Sequence, residues 1–258
     1  MVSRFVDACS TDERIVAAFL DGSRATDEAD EYSDLDLYVI TTDETLEKVI
    51  AERGSLIRYL GEPVFTEDFG HDGIVFFILA DGTECELSFS REGAIEDIDV
   101  GPFKPLIDKR GILSDAEFPF AQPNPREQRE QLRRVLNWFW HDLSHFTAAL
   151  GRGDLWWAHG QLEALRRYCV NLVRIEHGVE ALDEPYEKLE KAVPVSDLAA
   201  LQTTFCPMKR DAMLRAALEV VRFFRERAPR VAGAYGSDYP AELEQLMVDR
   251  LDGLAVSR

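Results

Sequence analysis

The chain has 258 residues, 46% of them hydrophobic, which is ample core material for one large domain or two ordinary ones. Its 48 acidic and 29 basic residues give a formal net charge of -19, a surface that repels polyanions and disfavours DNA or RNA as a partner. No run is long and apolar enough to span a bilayer, and residues Met1 to Cys9 lack a signal-peptide core. The four scattered cysteines (Cys9, Cys85, Cys169 and Cys206) form no Cys-x-x-Cys and read as free thiols in a cytoplasmic protein, with Cys85 and Cys169 on apolar faces.

In chain order, Arg14 to Leu20 reads as a strand, followed by a Gly22-Ser23 turn and a polar loop ending in Ser33-Asp34-Leu35-Asp36-Leu37. A second strand covers Leu35 to Thr41. Asp43 is a plausible N-cap for a helix to Arg53. Leu56 to Leu60 and Ile74 to Ala80 read as further strands, and Asp81-Gly82 signals a tight hairpin into Thr83 to Phe89. On that return strand Glu84, Glu86 and Ser88 share one face, and Cys85, Leu87 and Phe89 the other. Strand signals then stop, and Ala121-Gln-Pro-Asn-Pro125 marks a boundary.

Beyond it, helices are predicted over Arg126 to Leu150, ended by Gly151-Arg152-Gly153, and from the cap Asp154 to about His177-Gly178. Two more cover Met208 to Arg227 and Ala241 to Leu251. The expected fold is α+β, with a small mixed β-sheet domain over residues 1–120 followed by an α-helical bundle over 125–258.

The chemistry concentrates between Gly22 and Leu37. Asp34 and Asp36 are two apart on a strand, so their carboxylates project from one face. Side by side they repel unless a cation lies between them. With oxygen ligands that cation is Mg²⁺, which takes one or two carboxylates together with substrate phosphates. A Gly-Ser turn offers backbone N–H groups and a hydroxyl to a phosphate. The unit is therefore suited to a nucleoside triphosphate as its magnesium complex.

Gly-Ser, a spacer, then Asp-x-Asp between apolar positions resembles the signature of the nucleotidyltransferase superfamily that includes DNA polymerase beta. The resemblance extends to the two-domain antibiotic nucleotidyltransferases of the lincosamide and aminoglycoside type, through Thr11-Asp12-Glu13-Arg14-Ile15, Asp30-Glu31-Tyr32-Ser33-Asp34 and a helical second half. Asp21 departs from it, standing where those enzymes often carry an aromatic or small residue.

The resemblance implies transfer of a nucleoside monophosphate, AMP from ATP or another NTP, onto a hydroxyl of a small molecule. The implied metal ligands are Asp34, Asp36 and Glu86 around two Mg²⁺ ions. Gly22, Ser23, Arg24 and Ser33 are the candidate nucleotide-binding residues. Glu84 and Glu86 are both candidates for the catalytic carboxylate that accepts the hydroxyl proton, Glu86 by its apolar-acid-apolar setting and Glu84 by its spacing from the preceding strand. In the helical half, Glu163, Arg166 and Arg167 are candidates to face the nucleotide, against the plainer reading of a solvated helix face.

The excess acid suits a cationic acceptor, and equally a chain adapted to high salt. An aminoglycoside or lincosamide, and with it antibiotic resistance, is the leading expectation, with a possible homodimer. The rivals are the same chemistry on a metabolite or protein, and a non-catalytic antitoxin-like partner. His141 and His145, four apart, have metal-ligand spacing, but with no acid or cysteine recognised beside them they read as packing or surface residues. Trp138, Trp140, Trp156 and Trp157 read as bundle core or as an aromatic wall.

Overall fold

Six strands of the first half form one sheet in a computed structural model that describes residues 1–26, 29–70, 73–120, 124–179 and 184–256. They are β1 (Ile15–Leu20), β2 (Leu35–Thr41), β3 (Pro63–Glu67), β4 (Ile74–Leu79), β5 (Glu84–Arg91) and β6 (Lys104–Asp108), in spatial order β3-β4-β5-β2-β1-β6. The two central strands β2 and β5 run parallel, and every other pairing is antiparallel. The sheet is thus mixed, as expected. The β4–β5 hairpin runs from Ile78 opposite Glu84 to Ile74 opposite Ser88, and Gly82 adopts the left-handed φ of +87° that its turn requires.

Helices α1 (Val2–Thr11), α2 (Gly22–Ala25), α3 (Leu46–Ala51) and α4 (Arg53–Leu60) accompany the sheet. Phe5 and Cys9 of α1, Val49 of α3, and Leu56, Ile57 and Leu60 of α4 bury against Leu35, Leu37, Val39, Val75, Phe77 and Leu87. The opposite face carries a smaller cluster in which Phe19 stacks on Tyr38 with centroids 4.9 Å apart, beside Phe103 and Phe118.

Leu56 to Leu60 is not a strand but part of α4, because Leu56, Ile57 and Leu60 line a single helical face. The helix expected from Asp43 is split into α3 and α4 at Glu52. Thr45 holds the cap position, while the Asp43 carboxylate accepts the backbone N–H of Gly93 at 3.0 Å. Helix α1 and strands β3 and β6 were not expected. β3 begins at Pro63 and is largely exposed, so it lacks the alternation that marks a strand.

The chain separates into two units, Met1–Gln122 and Pro123–Arg258. Of the anticipated boundary segment, positions 121–123 lie outside the described residues. The second unit contains α5 (Pro125–Arg152), α6 (Leu155–Glu176), α7 (Leu189–Ala192), α8 (Val195–Gln202), α9 (Arg210–Ala234) and α10 (Ala241–Val256). Asn124 caps α5 by accepting the Arg126 N–H at 2.9 Å, and Pro125 occupies the first helical position, where its missing donor costs nothing. Gly153, with φ +77°, ends α5, and Asp154 caps α6 through the Trp157 N–H. Helix α9 continues past the expected end at Arg227 because its apolar face continues through Ala228, Val231 and Ala232. Phe139 stacks on Phe224 at 3.7 Å, and Trp140 joins them edge-on at the centre of the bundle core.

Candidate active site

Alternation along the two central strands decides which side chains meet. Leu35 and Leu37 of β2, with Cys85 and Leu87 of β5, point into the core beneath the helices. Their neighbours Asp36 and Glu86 therefore project from the other face, and the parallel register pairs these two residues directly. Glu84 stands two positions earlier on β5, on the same side, and Asp34 immediately precedes β2; both are exposed. Asp36 and Glu86 are half-buried, and the Ser88 hydroxyl donates to Glu86 Oε1 at 3.0 Å.

The Gly22-Ser23 turn follows β1 and enters the four-residue α2. Gly22 has φ +59°, and a Cβ built on it would lie 2.2 Å from Asp36 Oδ2. Glycine is thus required twice, by its backbone conformation and by the Asp36 carboxylate lying against its Cα. The Asp21 N–H donates to the Asp36 carbonyl at 3.2 Å, tying the end of β1 to β2 beside the carboxylates. Ser23 is half-buried, and its carbonyl accepts from Thr26.

Arg24 and Ser33 organise the loop between them. The Arg24 guanidinium donates to the backbone carbonyls of Asp34 (2.5 Å) and Ser33 (2.6 Å). The Ser33 hydroxyl accepts the Asp30 N–H at 2.9 Å and donates to the Asp30 carboxylate, which also accepts the Tyr32 N–H. Positions 27 and 28 of this loop lie outside the described residues.

Asp21 is the member of this cluster that the sequence reading did not assign a role. Burial, then the charges on Glu86 and Asp34, push its carboxyl up from 3.8 to about 6. Its Oδ1 is buried without a hydrogen-bond partner. Tyr38, across the same face, is likewise shifted upward by burial and by Asp21, Asp99 and Glu86. The alternation Asp21-Gly-Ser after an apolar strand was visible as a departure from the resembled pattern, but only the fold brings Asp21 to Glu86.

Crowded carboxylates with an unpartnered buried oxygen are the donor set of a hard divalent cation. Asp34, Asp36 and Glu86 fit Mg²⁺, which keeps waters and phosphate oxygens among its ligands and needs only one or two protein carboxylates. Their oxygens are not gathered as a ready three-ligand cage. Among the described residues only His141, Asp142 and His145 are that close.

In the second unit, Glu163 and Arg166 form an ion pair, and Glu163 also accepts the Tyr186 hydroxyl at 2.8 Å. Arg166 is buried, donating to the Thr204 hydroxyl and carbonyl at 3.0 Å each. Arg167 lies 3.8 Å from Glu184. Of the four tryptophans only Trp140 belongs to the core; Trp138, Trp156 and Trp157 are exposed. The cysteine reading agrees with the structure, since Cys9, Cys85 and Cys169 are free and buried. Among the described residues no helix is long and apolar enough to cross a membrane.

A family profile described as streptomycin adenylyltransferase matches residues 1–253. An aminoglycoside 6-adenyltransferase from Bacillus subtilis superposes over 100% of this chain and 98% of its own, with TM-score 0.49 and 16% identity. A nucleotidyltransferase-like protein from Exiguobacterium sibiricum 255-15 covers 91% of this chain and 76% of its own, with TM-score 0.44 and 12% identity. No curated protein sequence matches.

Proposed function

The chain belongs to the streptomycin adenylyltransferase family, and from that premise we propose that it transfers AMP from ATP to a hydroxyl of an aminoglycoside, in a Mg²⁺-dependent reaction at the carboxylate face of its sheet. The observation that carries this reading is the direct register pairing of Asp36 with Glu86 beside the Gly22-Ser23 turn. The family's name favours an aminoglycoside over the lincosamide alternative.

In this reading residues 1–120 are the catalytic domain, and the helical unit from residue 125 contributes to holding the acceptor. Asp34, Asp36 and Glu86 hold the metal. Mg²⁺, when bound, supplies Lewis-acid stabilisation for the charge that develops as the acceptor oxygen attacks and pyrophosphate leaves. The Gly22-Ser23 turn receives the triphosphate. Arg24 and Ser33 act through the backbone, fixing the loop that delivers Asp34.

The acceptor hydroxyl must lose a proton as it attacks the α-phosphorus. Glu84 takes it: this carboxylate is exposed at the head of β5, whereas Glu86 is half-buried and accepts the Ser88 hydroxyl. Exposed carboxylates on the same face, in a chain of net charge -19, also attract a polycation. Incubation with α-labelled ATP, Mg²⁺ and streptomycin tests the proposal. A labelled adduct heavier by one AMP supports it, and a folded protein that labels no aminoglycoside sinks it.

A further inference from the structure

We propose that His141, Asp142 and His145 form a binding site for a divalent transition-metal ion of the Zn²⁺ type. The three lie on consecutive turns of α5, and their candidate ligand atoms all fall within 4.8 Å of one another. The sequence reads the two histidines as packing or surface residues for want of an acid beside them; the structure supplies one in Asp142, immediately next to His141.

The distances fit such an ion. His141 Nδ1 is 2.9 Å from Asp142 Oδ1, a hydrogen bond that a bound ion would replace, and His145 Nδ1 is 4.0 Å from the same oxygen. Zn–N and Zn–O bonds of about 2.0–2.2 Å at tetrahedral angles place neighbouring ligands about 3.4 Å apart. The two separations bracket that value, and small side-chain rotations on one helix face close the difference. Two imidazoles and one carboxylate are a borderline donor set, suited to Zn²⁺, Co²⁺, Ni²⁺ or Cu²⁺ and poorly suited to Mg²⁺.

The surroundings support the ligands. The Tyr168 hydroxyl on α6 donates to Asp142 Oδ2 at 3.0 Å, which turns Oδ1 toward the histidines. The side chains of His141 and His145 are nearly half exposed, so an ion reaches them from solvent, while Asp142 is mostly buried. Trp138 packs edge-on to His141 at 4.7 Å, and Trp157 lies 5.8 Å from His145. Three protein ligands leave a fourth position for water or an incoming donor.

Tag-free protein titrated calorimetrically with Zn²⁺, in the presence of excess Mg²⁺, tests the site. One equivalent should bind, and His141→Ala/His145→Ala should abolish it while leaving the far-ultraviolet circular dichroism unchanged. Tyr168→Phe should weaken binding about 10–100-fold, the effect of losing an outer-shell partner. Cu²⁺ should quench tryptophan fluorescence in the parent, and Trp138→Phe/Trp157→Phe should remove most of that quenching without removing Zn²⁺ binding. The proposal fails if the parent binds no Zn²⁺, if the double-histidine variant binds as tightly as the parent, or if binding is lost only in Cys206→Ser.

Discussion

Replacing Gly22 by alanine is the sharpest perturbation of the carboxylate face, because one methyl group acts on backbone and site together. At φ +59° a non-glycine residue costs about 1–2 kcal/mol. For a chain of this size each kcal/mol lowers Tm by roughly 2–4 °C, so the expected loss is about 2–8 °C. The larger effect is on Asp36. The new Cβ would lie 2.2 Å from Oδ2, whereas ordinary contact begins at 3.4 Å, so the carboxylate must retreat by about an ångström. A displacement of that size in a reacting constellation can cost about 100-fold in rate. The assay is AMP transfer from α-labelled ATP to streptomycin with thermal unfolding alongside, at a temperature where the variant is fully folded. A Gly22→Ala enzyme within threefold of the parent in kcat/KM would refute the reasoning that Asp36 works from its place against Gly22.

Asp36→Asn should abolish transfer while leaving Tm within a few degrees of the parent; substantial turnover by the folded variant would remove Asp36 from the metal site. Asp21→Asn should gain stability at neutral pH. The folded chain holds the Asp21 proton more tightly than the unfolded chain, so this group's contribution is complete below pH 3.8 and is lost as pH rises to about 6. A shift of about two units corresponds to at most ~3 kcal/mol, and residual solvent screening reduces it to ~1–2 kcal/mol. Urea unfolding should show that gain at pH 7.5 and its disappearance near pH 4; equal stabilities at both would contradict the account of Asp21. Arg166→Ala should cost about 3 kcal/mol, the low end for breaking a buried pair because Glu163 keeps some solvent. A change in urea midpoint too small to resolve would show that the Thr204 and Glu163 contacts carry little stability.

The carboxylate face was legible because its information is local. Apolar-acid-apolar alternation around Asp36 and Glu86 states which face each residue takes, and Asp81-Gly82 states where the hairpin turns. What alternation cannot state is which strands become neighbours. The parallel β2–β5 pairing that sets Asp36 against Glu86 is a long-range crossover, and so is the approach of Asp21 to Glu86. Leu56 to Leu60 misled because a five-residue apolar run fits either period, and only burial against α1 and the sheet decides for a helix. β3 and β6 were missed because edge strands need no apolar face. Asp142 is adjacent to His141 in the sequence, but only the helix and the side-chain conformations bring its carboxylate within 2.9 Å and 4.0 Å of the two imidazoles.

As proposed, this chain adenylylates an aminoglycoside at the Asp34, Asp36 and Glu86 face. Mass spectrometry of streptomycin after incubation with the protein, ATP and Mg²⁺ tests it most directly, with folded Asp36→Asn in parallel. The expected product is heavier by one AMP with the parent, and none forms with Asp36→Asn. Unmodified streptomycin and unmodified related aminoglycosides from the folded parent, or an equal yield from both proteins, would contradict it.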